Sequence, residues 1–485
     1  MQASIEHKLA VNGVNLWLAA GYYRTVASFY VENFGCRATQ ADGAAIERQF
    51  EEHGLARAAA PSQSEIVVLN TCTVTASADQ DARAAIRRIR RENPECEIVV
   101  TGCYAQRAPQ EVASLPGVSR VIGNSHKHKL AEIVVNSHRR NALTSIAARP
   151  DFVPLSSLAT EAQSEIFVSN IFAHTELLAA PVFDAMGLGT NNDRTRPNLK
   201  VQDGCDNRCS FCVIPHVRGQ SRSLPLSQIL DEVNALVNAG YREVVISGIN
   251  LGRWGRDFDT PARFETVVHE ILSQTNLEKL RISSVEPMDW SDELIRTMAR
   301  STRIAKHAHV PMQSGSDRVL RAMHRKYRPW HYREKLEKIR AAMPTAALGA
   351  DVMVGFPGES EADFEETHRL IDELPFTYLH VFTYSSRPGT PAAALRNQVP
   401  VQIARERNRI LRDLAAEKKL AFMQAFAGKT VEAITLNVFD GKSTEALTDN
   451  YLKLRLHGQH AANQWLTARV EKVEAGTLMA VGEAT

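Results

Sequence analysis

Cysteine is scarce in this chain: there are seven in 485 residues, an odd number. That excludes the dense, even-numbered disulfide framework of a small secreted protein. Long apolar runs are missing too, so nothing in the sequence reads as a bilayer span. The first residues, "MQASIEHKLAVNGVNLWLAAGYYRTVASF", have a short apolar patch but neither a basic start nor a small-residue cleavage site. Residues 1–27 read as an N-terminal extension, not a signal peptide, and a cytoplasmic location is expected. An excess of one charge is absent as well. The net charge is only +2, so a nucleic-acid-binding surface, if there is one, must be local. What remains is 44% hydrophobic and 23% charged, enough to bury real cores. The length asks for two to four domains.

The cysteines that are present are not scattered at random. Three strand-like runs, "FYVENFGC", "EIVVLNTC" and "EIVVTGC", each end on one: Cys36, Cys72 and Cys103. Helical stretches separate them. "GAAIERQFEEHG" sets Ile46 and Phe50 at i,i+4, and "DARAAIRRIRREN" carries an arginine-rich face. Strand–helix alternation of this kind predicts a small parallel α/β domain over 28–139, with ligands at the carboxyl ends of its strands. Cys96 begins a strand at the opposite end and is expected to be structural.

Residues 140–195 lack a clear period and read as a linker or insertion. A second alternating series then fills 196–420. Its strand candidates are "NLKVQDG", "EVVISG", "KLRISS", "AKHAHVP", "ALGADVMVG" and "YLHVFTYS", with amphipathic segments between them. Six such units predict a partial TIM-like (β/α)6 barrel whose site lies at the C-terminal mouth of the strands. After the basic stretch "IARERNRILRDLAAEKKLAF", residues 421–485 turn into short strands with turn residues between them. They predict a small antiparallel β-barrel.

The loop after the first barrel strand, "VQDGCDNRCSFCVIPHVRG", holds Cys205, Cys209 and Cys212 with C-x3-C-x2-C spacing. Two readings stand. A zinc site closes with four ligands, and His216 is the nearest candidate for the fourth. Three thiolates also suit a [4Fe–4S] cube with one iron left open. Cys36, Cys72 and Cys103 divide in the same way. Each alone reads as a buried core cysteine. Together, behind Gly35, Thr71 and Gly102, they read as a second three-cysteine cluster.

The C-x3-C-x2-C motif, with Phe211 before its last cysteine, resembles that of the radical S-adenosylmethionine enzymes, and the barrel series agrees. From about residue 28 to the C-terminus the chain resembles the methylthiotransferases within that superfamily. The blocks "FGCRATQADG", "NTCTVTASAD", "GCYAQR", "HVRGQSRS", "HVPMQSGSDRVLRAMHRKY", "DVMVGFPGESEADFEET" and "YSSRPGTPAA" carry the resemblance. The last domain resembles a TRAM module, OB-like and RNA-binding. The resemblance implies two [4Fe–4S] clusters, a radical one on Cys205, Cys209 and Cys212 and an auxiliary one on Cys36, Cys72 and Cys103. It also implies that one S-adenosylmethionine supplies a methyl group to sulfur and a second supplies a 5′-deoxyadenosyl radical. Phe211, Ser247, Gly248, Asn250, Glu286 and Gln313 are the expected cofactor contacts. Glu286 is equally readable as a surface or capping acid.

Three branches of the family act on isopentenyladenosine in tRNA, on threonylcarbamoyladenosine in tRNA, or on an aspartate of a ribosomal protein. "SGINLGRWGRD" resembles the threonylcarbamoyladenosine branch, known as MtaB, as do "ENFGCRATQADG" and "YSSRPGTPAA". The expectation is therefore a tRNA-modifying transferase, monomeric, served by a reductant protein. A reading of a different class is an iron–sulfur RNA-binding or electron-transfer protein. Between Gly428 and Thr485 six Lys or Arg face seven acids, so RNA contact must draw on arginines elsewhere. Arg87 and Arg91 on one helix and Arg218 and Arg222 after the cysteine loop are the candidates, with solvated helix faces as the plain alternative. Trp254 reads either as a stacking platform for a base or as core, and His307 and His309 share one strand face.

Overall fold

The computed structural model describes residues 27–137, 164–174 and 195–482. The extension read over 1–27, apart from Ala27, and most of the 140–195 segment lie outside the described residues. Two compact units emerge, one running to residue 170 and the other from residue 171 onward together with 74–76.

The first unit is a six-stranded, all-parallel sheet. Its strands are β1 (Ser28–Asn33), β2 (Ala56–Arg57), β3 (Ile66–Thr71), β4 (Glu97–Gly102), β5 (Val118–Gly123) and β6 (Glu165–Phe167), in the order 2-1-3-4-5-6. All of β3 is buried, as its unbroken "IVVLNT" run requires of a parallel strand covered on both faces. The helix Arg37–Glu52 turns Ile46 and Phe50 inward, and the Phe50 ring stacks on Phe29 at 4.9 Å. Each such side chain contributes about 1.5–3 kcal/mol by leaving water. β6 corrects the expectation of a structureless linker: Glu165–Phe167 adds an edge strand, pairing with β5 from Arg120 to Ile122. Three residues are too few to show a period, which is why the sequence hid it.

In the second unit the six expected strands form. They are β7 (Asn198–Asp203), β9 (Glu243–Gly248), β10 (Lys279–Ile282), β11 (His307–His309), β12 (Ala347–Val354) and β13 (Tyr378–Thr383), with β8 (Arg222–Ser223) as a short antiparallel addition beside β7. β7–β9–β10 and β11–β12–β13 are parallel ladders, joined by a bridge between Leu280 and Ile304. The result is a partial, open barrel. The helix Glu361–Glu373 begins on a capping box in which Ser360 accepts from the Asp363 amide and the Asp363 carboxylate accepts from the Ser360 amide. Replacing Ser360 by alanine should cost about 1 kcal/mol of stability in a urea titration, the usual value of an N-cap.

The closed C-terminal barrel follows the helix Val401–Gln424. It comprises β14 (Thr430–Phe439), β15 (Ser443–Thr448), β16 (Lys453–His457), β17 (Trp465–Glu474) and β18 (Thr477–Gly482). Four of its pairings are antiparallel; β16 and β18 pair in parallel, a departure from the wholly antiparallel barrel expected. It packs against the residues that open the large-barrel strands, the end opposite the cysteine loop. Arg281 bridges the gap: it grips Glu243 at 2.6 Å and donates to the Asp449 carbonyl at 3.0 Å and the Thr448 carbonyl at 3.3 Å. Asn463 donates to the Gly240 carbonyl and accepts from the Arg242 amide. The Lys279 ammonium lies 4.8 Å from the centre of the Trp465 ring. His307 stacks between Tyr378 and Tyr451, with Nε2 2.6 Å from the Tyr378 hydroxyl. His309, the other histidine on β11, has Nδ1 2.7 Å from the Ser284 hydroxyl. No helix among the described residues is long and apolar enough to cross a membrane.

Candidate active site

In the first unit β1, β3 and β4 lie side by side, and the chain order reverses between β1 and β3. Such a reversal leaves a crevice at the carboxyl ends of the strands, the usual place for a ligand in an open α/β sheet. The three cysteines follow these three strands. Cys36 caps the helix Arg37–Glu52, Cys72 follows β3, and Cys103 opens the short helix Cys103–Arg107. Gly35 sits at φ +107°, and a Cβ there would lie 2.5 Å from the Cys72 Cβ. The turn bearing Cys36 therefore closes directly on Cys72, which only glycine allows. The Thr39 hydroxyl approaches the Cys36 sulfur at 3.6 Å, and Asn124 donates to the Cys103 sulfur at the same distance. Below them runs a buried polar layer that the sequence reading missed. Asn70 donates to Asn33 Oδ1 and to the Thr39 carbonyl, and Lys127 pairs with Asp42 at 3.0 Å and donates to Asn70. The available signal was Asn70 itself, a polar residue inside an apolar strand. Cys96 lies at the other end of the sheet, buried, donating to the Asn93 carbonyl.

In the second unit the cysteine loop leaves β7 at Gly204, whose φ is +69° and where any Cβ would run into the Gln220 carbonyl. The Cys205 amide is tied to the Gly219 carbonyl at 3.0 Å. Beneath the loop Asp203 binds Lys200 at 2.8 Å and Arg218 at 2.9 Å, all three buried. Burial opposes the Asp203 charge, but Arg218 and Lys200 outweigh it and hold its pKa well below the ordinary value. Gln202 spans the same ground, donating to the Asp203 and Gly204 carbonyls and the Ser221 hydroxyl while accepting from the Asn250 amide. Arg218 was a candidate for RNA contact; the structure corrects this, because its guanidinium is committed to Asp203 inside the protein. Arg222 donates to the Arg218 and His174 carbonyls. Arg87 and Arg91 are exposed on the helix Ala76–Glu92.

Around the sulfurs, Asn250 donates to Cys205 at 3.6 Å and Arg325 donates to Cys209 at 3.2 Å. Arg325 also pairs with Glu286, which is partly buried; Glu286 stands at the N-cap position of the turn Pro287–Asp289, but its carboxylate makes no cap hydrogen bond and goes to Arg325 instead. Burial pushes the Glu286 carboxyl up, against the pull of Arg325. Burial likewise raises the Cys205 thiol, and it pushes Cys212 up to about 12. Ser247 Oγ, Asn250 Oδ1 and Gln313 Oε1 are buried with no hydrogen-bond partner among the described residues. Gly248 abuts Gln202. Phe211 packs on Val319, Met323, Met353, Phe356 and Ala392. His216, the candidate fourth zinc ligand, is exposed with its ring edge-on to Phe172, and no three His, Cys, Asp or Glu among the described residues converge as a single ion needs. Trp254 resolves as core, fully buried, its indole donating to the Leu224 carbonyl.

Comparison with known proteins meets this geometry at both ends. The radical SAM superfamily model matches residues 199–371, and the model described as uncharacterized protein family UPF0004 matches 28–123. The threonylcarbamoyladenosine tRNA methylthiotransferase MtaB of Bacillus subtilis is 35% identical, over 89% of this chain and 91% of its own. The chain belongs to the radical S-adenosylmethionine methylthiotransferases. The MtaB protein of Aquifex aeolicus is 34% identical, over 88% of this chain and 96% of its own. A tRNA-2-methylthio-N(6)-dimethylallyladenosine synthase of Novosphingobium aromaticivorans is 32% identical, over 84% and 86%. Among solved structures, the radical S-adenosylmethionine methyltransferase TsrM of Kitasatospora setae has the same fold, with TM-score 0.51 at 14% identity over 86% of this chain and 79% of that one. As a methylthiotransferase the chain is an enzyme that transfers a methylthio group, and iron–sulfur and S-adenosylmethionine chemistry come with the family.

Proposed function

We propose that this enzyme methylthiolates threonylcarbamoyladenosine beside the tRNA anticodon, using two [4Fe–4S] clusters. The observation that carries the reading is the three-cysteine loop, touched by Asn250, together with the buried Ser247, Asn250 and Gln313 oxygens, which have no hydrogen-bond partner among the described residues. A soft thiolate set with no fourth protein ligand among the described residues suits a cluster that keeps one iron open. Unpaired buried oxygens cost free energy unless a ligand satisfies them, and S-adenosylmethionine offers ribose, amino and carboxylate groups to do so. Cys205, Cys209 and Cys212 would hold the radical cluster; Cys36, Cys72 and Cys103 would hold the auxiliary one.

When bound, these cofactors supply one-electron cleavage of a sulfonium and the sulfur and methyl group that are transferred. The chain's own part is positioning and exclusion. Ser247, Asn250 and Gln313 present hydrogen-bonding atoms, and Glu286, fixed by Arg325, presents a carboxylate. Phe211 and its apolar neighbours keep water from the back of the loop. Cys212, whose thiol burial pushes up to about 12, would hold the cluster as a thiolate. The branch assignment rests on the "SGINLGRWGRD" loop and on the names of the relatives. Exposed Arg87 and Arg91 remain the RNA-contact proposals, and a reductant protein must supply the electron.

Two measurements test this. Anaerobic reconstitution should give about eight irons per chain, and about four would remove the second cluster. Mass spectrometry of tRNA nucleosides from cells lacking the gene should show threonylcarbamoyladenosine without its methylthio group. Loss from isopentenyladenosine instead would overturn the branch, as would an unchanged tRNA profile with a ribosomal-protein aspartate unmodified.

A further inference from the structure

Arg325 spends its guanidinium in an unusual way. Nε donates to the Tyr327 hydroxyl at 3.2 Å, one terminal nitrogen to the Cys209 sulfur at 3.2 Å, and the other to Glu286. The side chain is 6% exposed, so solvent screens it little. Its placement is also rigid. His324, at φ +58°, turns the chain back toward the cysteine loop. The loop and this turn are then stitched together: the Ser210 amide donates to the Met323 carbonyl, the Ser210 hydroxyl to the Ala322 carbonyl at 2.7 Å, and His324 Nδ1 contacts the Arg208 carbonyl at 3.2 Å. From the far side Tyr327 anchors itself on the Met312 carbonyl at 2.7 Å while its ring lies 5.0 Å beneath the guanidinium. Every joint that could let Arg325 drift from Cys209 is tied.

We propose that Arg325 is a positioning residue that sets the reduction potential of the cluster on the cysteine loop. This rests on the reading of Cys205, Cys209 and Cys212 as cluster ligands. A buried cation hydrogen-bonded to a ligand sulfur stabilises whichever state is more negative, and that is the reduced cluster. Arg325 therefore makes the cluster easier to reduce. Glu286, which sits on the same guanidinium, balances part of that charge and keeps the fork oriented. A low-potential step is thereby brought closer to the reach of a protein reductant.

The test uses the full chain with Cys36, Cys72 and Cys103 replaced by alanine, so that one cluster remains to be titrated. In this background Arg325→Met should retain iron, and at a fixed solution potential its reduced-to-oxidised ratio, read by electron paramagnetic resonance, should fall about tenfold. That is a shift of about 59 mV to more negative potential for a one-electron couple. Arg325→Lys keeps the charge without the fork and should shift less. An unchanged potential in iron-replete Arg325→Met overturns the proposal. So does loss of iron from both variants, which would make Arg325 a structural residue. If the background chain keeps its iron after Cys209→Ala, the cluster assignment itself is wrong, and that failure is distinct from the others.

Discussion

The Cys72→Ala enzyme is expected to cleave S-adenosylmethionine reductively and to make no methylthio product. Its iron should fall from about eight to about four per chain. The reason lies in the two trios belonging to different compact units. Cys205, Cys209 and Cys212 belong to one compact unit with its own polar layer of Asp203, Lys200, Arg218 and Gln202. Cys72 belongs to the other, two residues past Asn70, to which Lys127 donates. Removing a sulfur from the sheet leaves the loop undisturbed. Chromatographic quantification of 5′-deoxyadenosine, alongside nucleoside mass spectrometry, reads the two activities independently. Methylthio product persisting in Cys72→Ala would sink the assignment of the sheet cysteines.

Asp203→Asn should be severely destabilising, by about 3–5 kcal/mol, because it strands two buried cations. Lys200 and Arg218 both direct their charge at this carboxylate, and Lys200 is 0% exposed. The pH dependence has a definite sign. The folded pKa of Asp203 is depressed, so the folded state binds fewer protons than the unfolded one in the acid range. Its stabilisation is complete above the ordinary aspartate value, about 3.9, and fades as the pH falls toward the folded value. Wild-type melting temperatures should therefore drop in that acid window, and the Asn variant should show a flatter acid limb from a lower start. Equal melting temperatures at pH 7 would contradict the role given to this triad.

The parts of this molecule that could be read from sequence are those where chemistry repeats locally. The six barrel strands announced themselves as apolar or alternating runs between amphipathic segments, and the sheet cysteines each closed a strand-like run. Short elements escaped, because β6 and β8 are too brief to show a period. Longer-range pairing escaped for a different reason. Arg218 looked like a free basic residue because its partner, Asp203, lies 15 residues earlier and reads as the polar end of a strand. Lys200 and Gln202 alternate with Leu199 and Val201, the pattern of a half-exposed strand, yet both are buried. Trp254 sat in a segment that marks the family branch, yet its ring fills core. Arg325 was visible only as one of a basic run, and its sulfur contact comes from a turn 116 residues beyond Cys209.

The small C-terminal barrel is tempting to treat as an interchangeable module. The contacts of Arg281 argue otherwise. Its guanidinium is shared between Glu243 on the catalytic side and the carbonyls of Thr448 and Asp449 on the other. Asn463 and Lys279 make similar crossings with Gly240, Arg242 and Trp465. A cut at the end of the helix Val401–Gln424 would bare a charged layer that the intact chain keeps dry. Chimeras that borrow this barrel from a relative must therefore carry matching residues at the starts of the catalytic strands, so the unit of exchange is the barrel together with its seat.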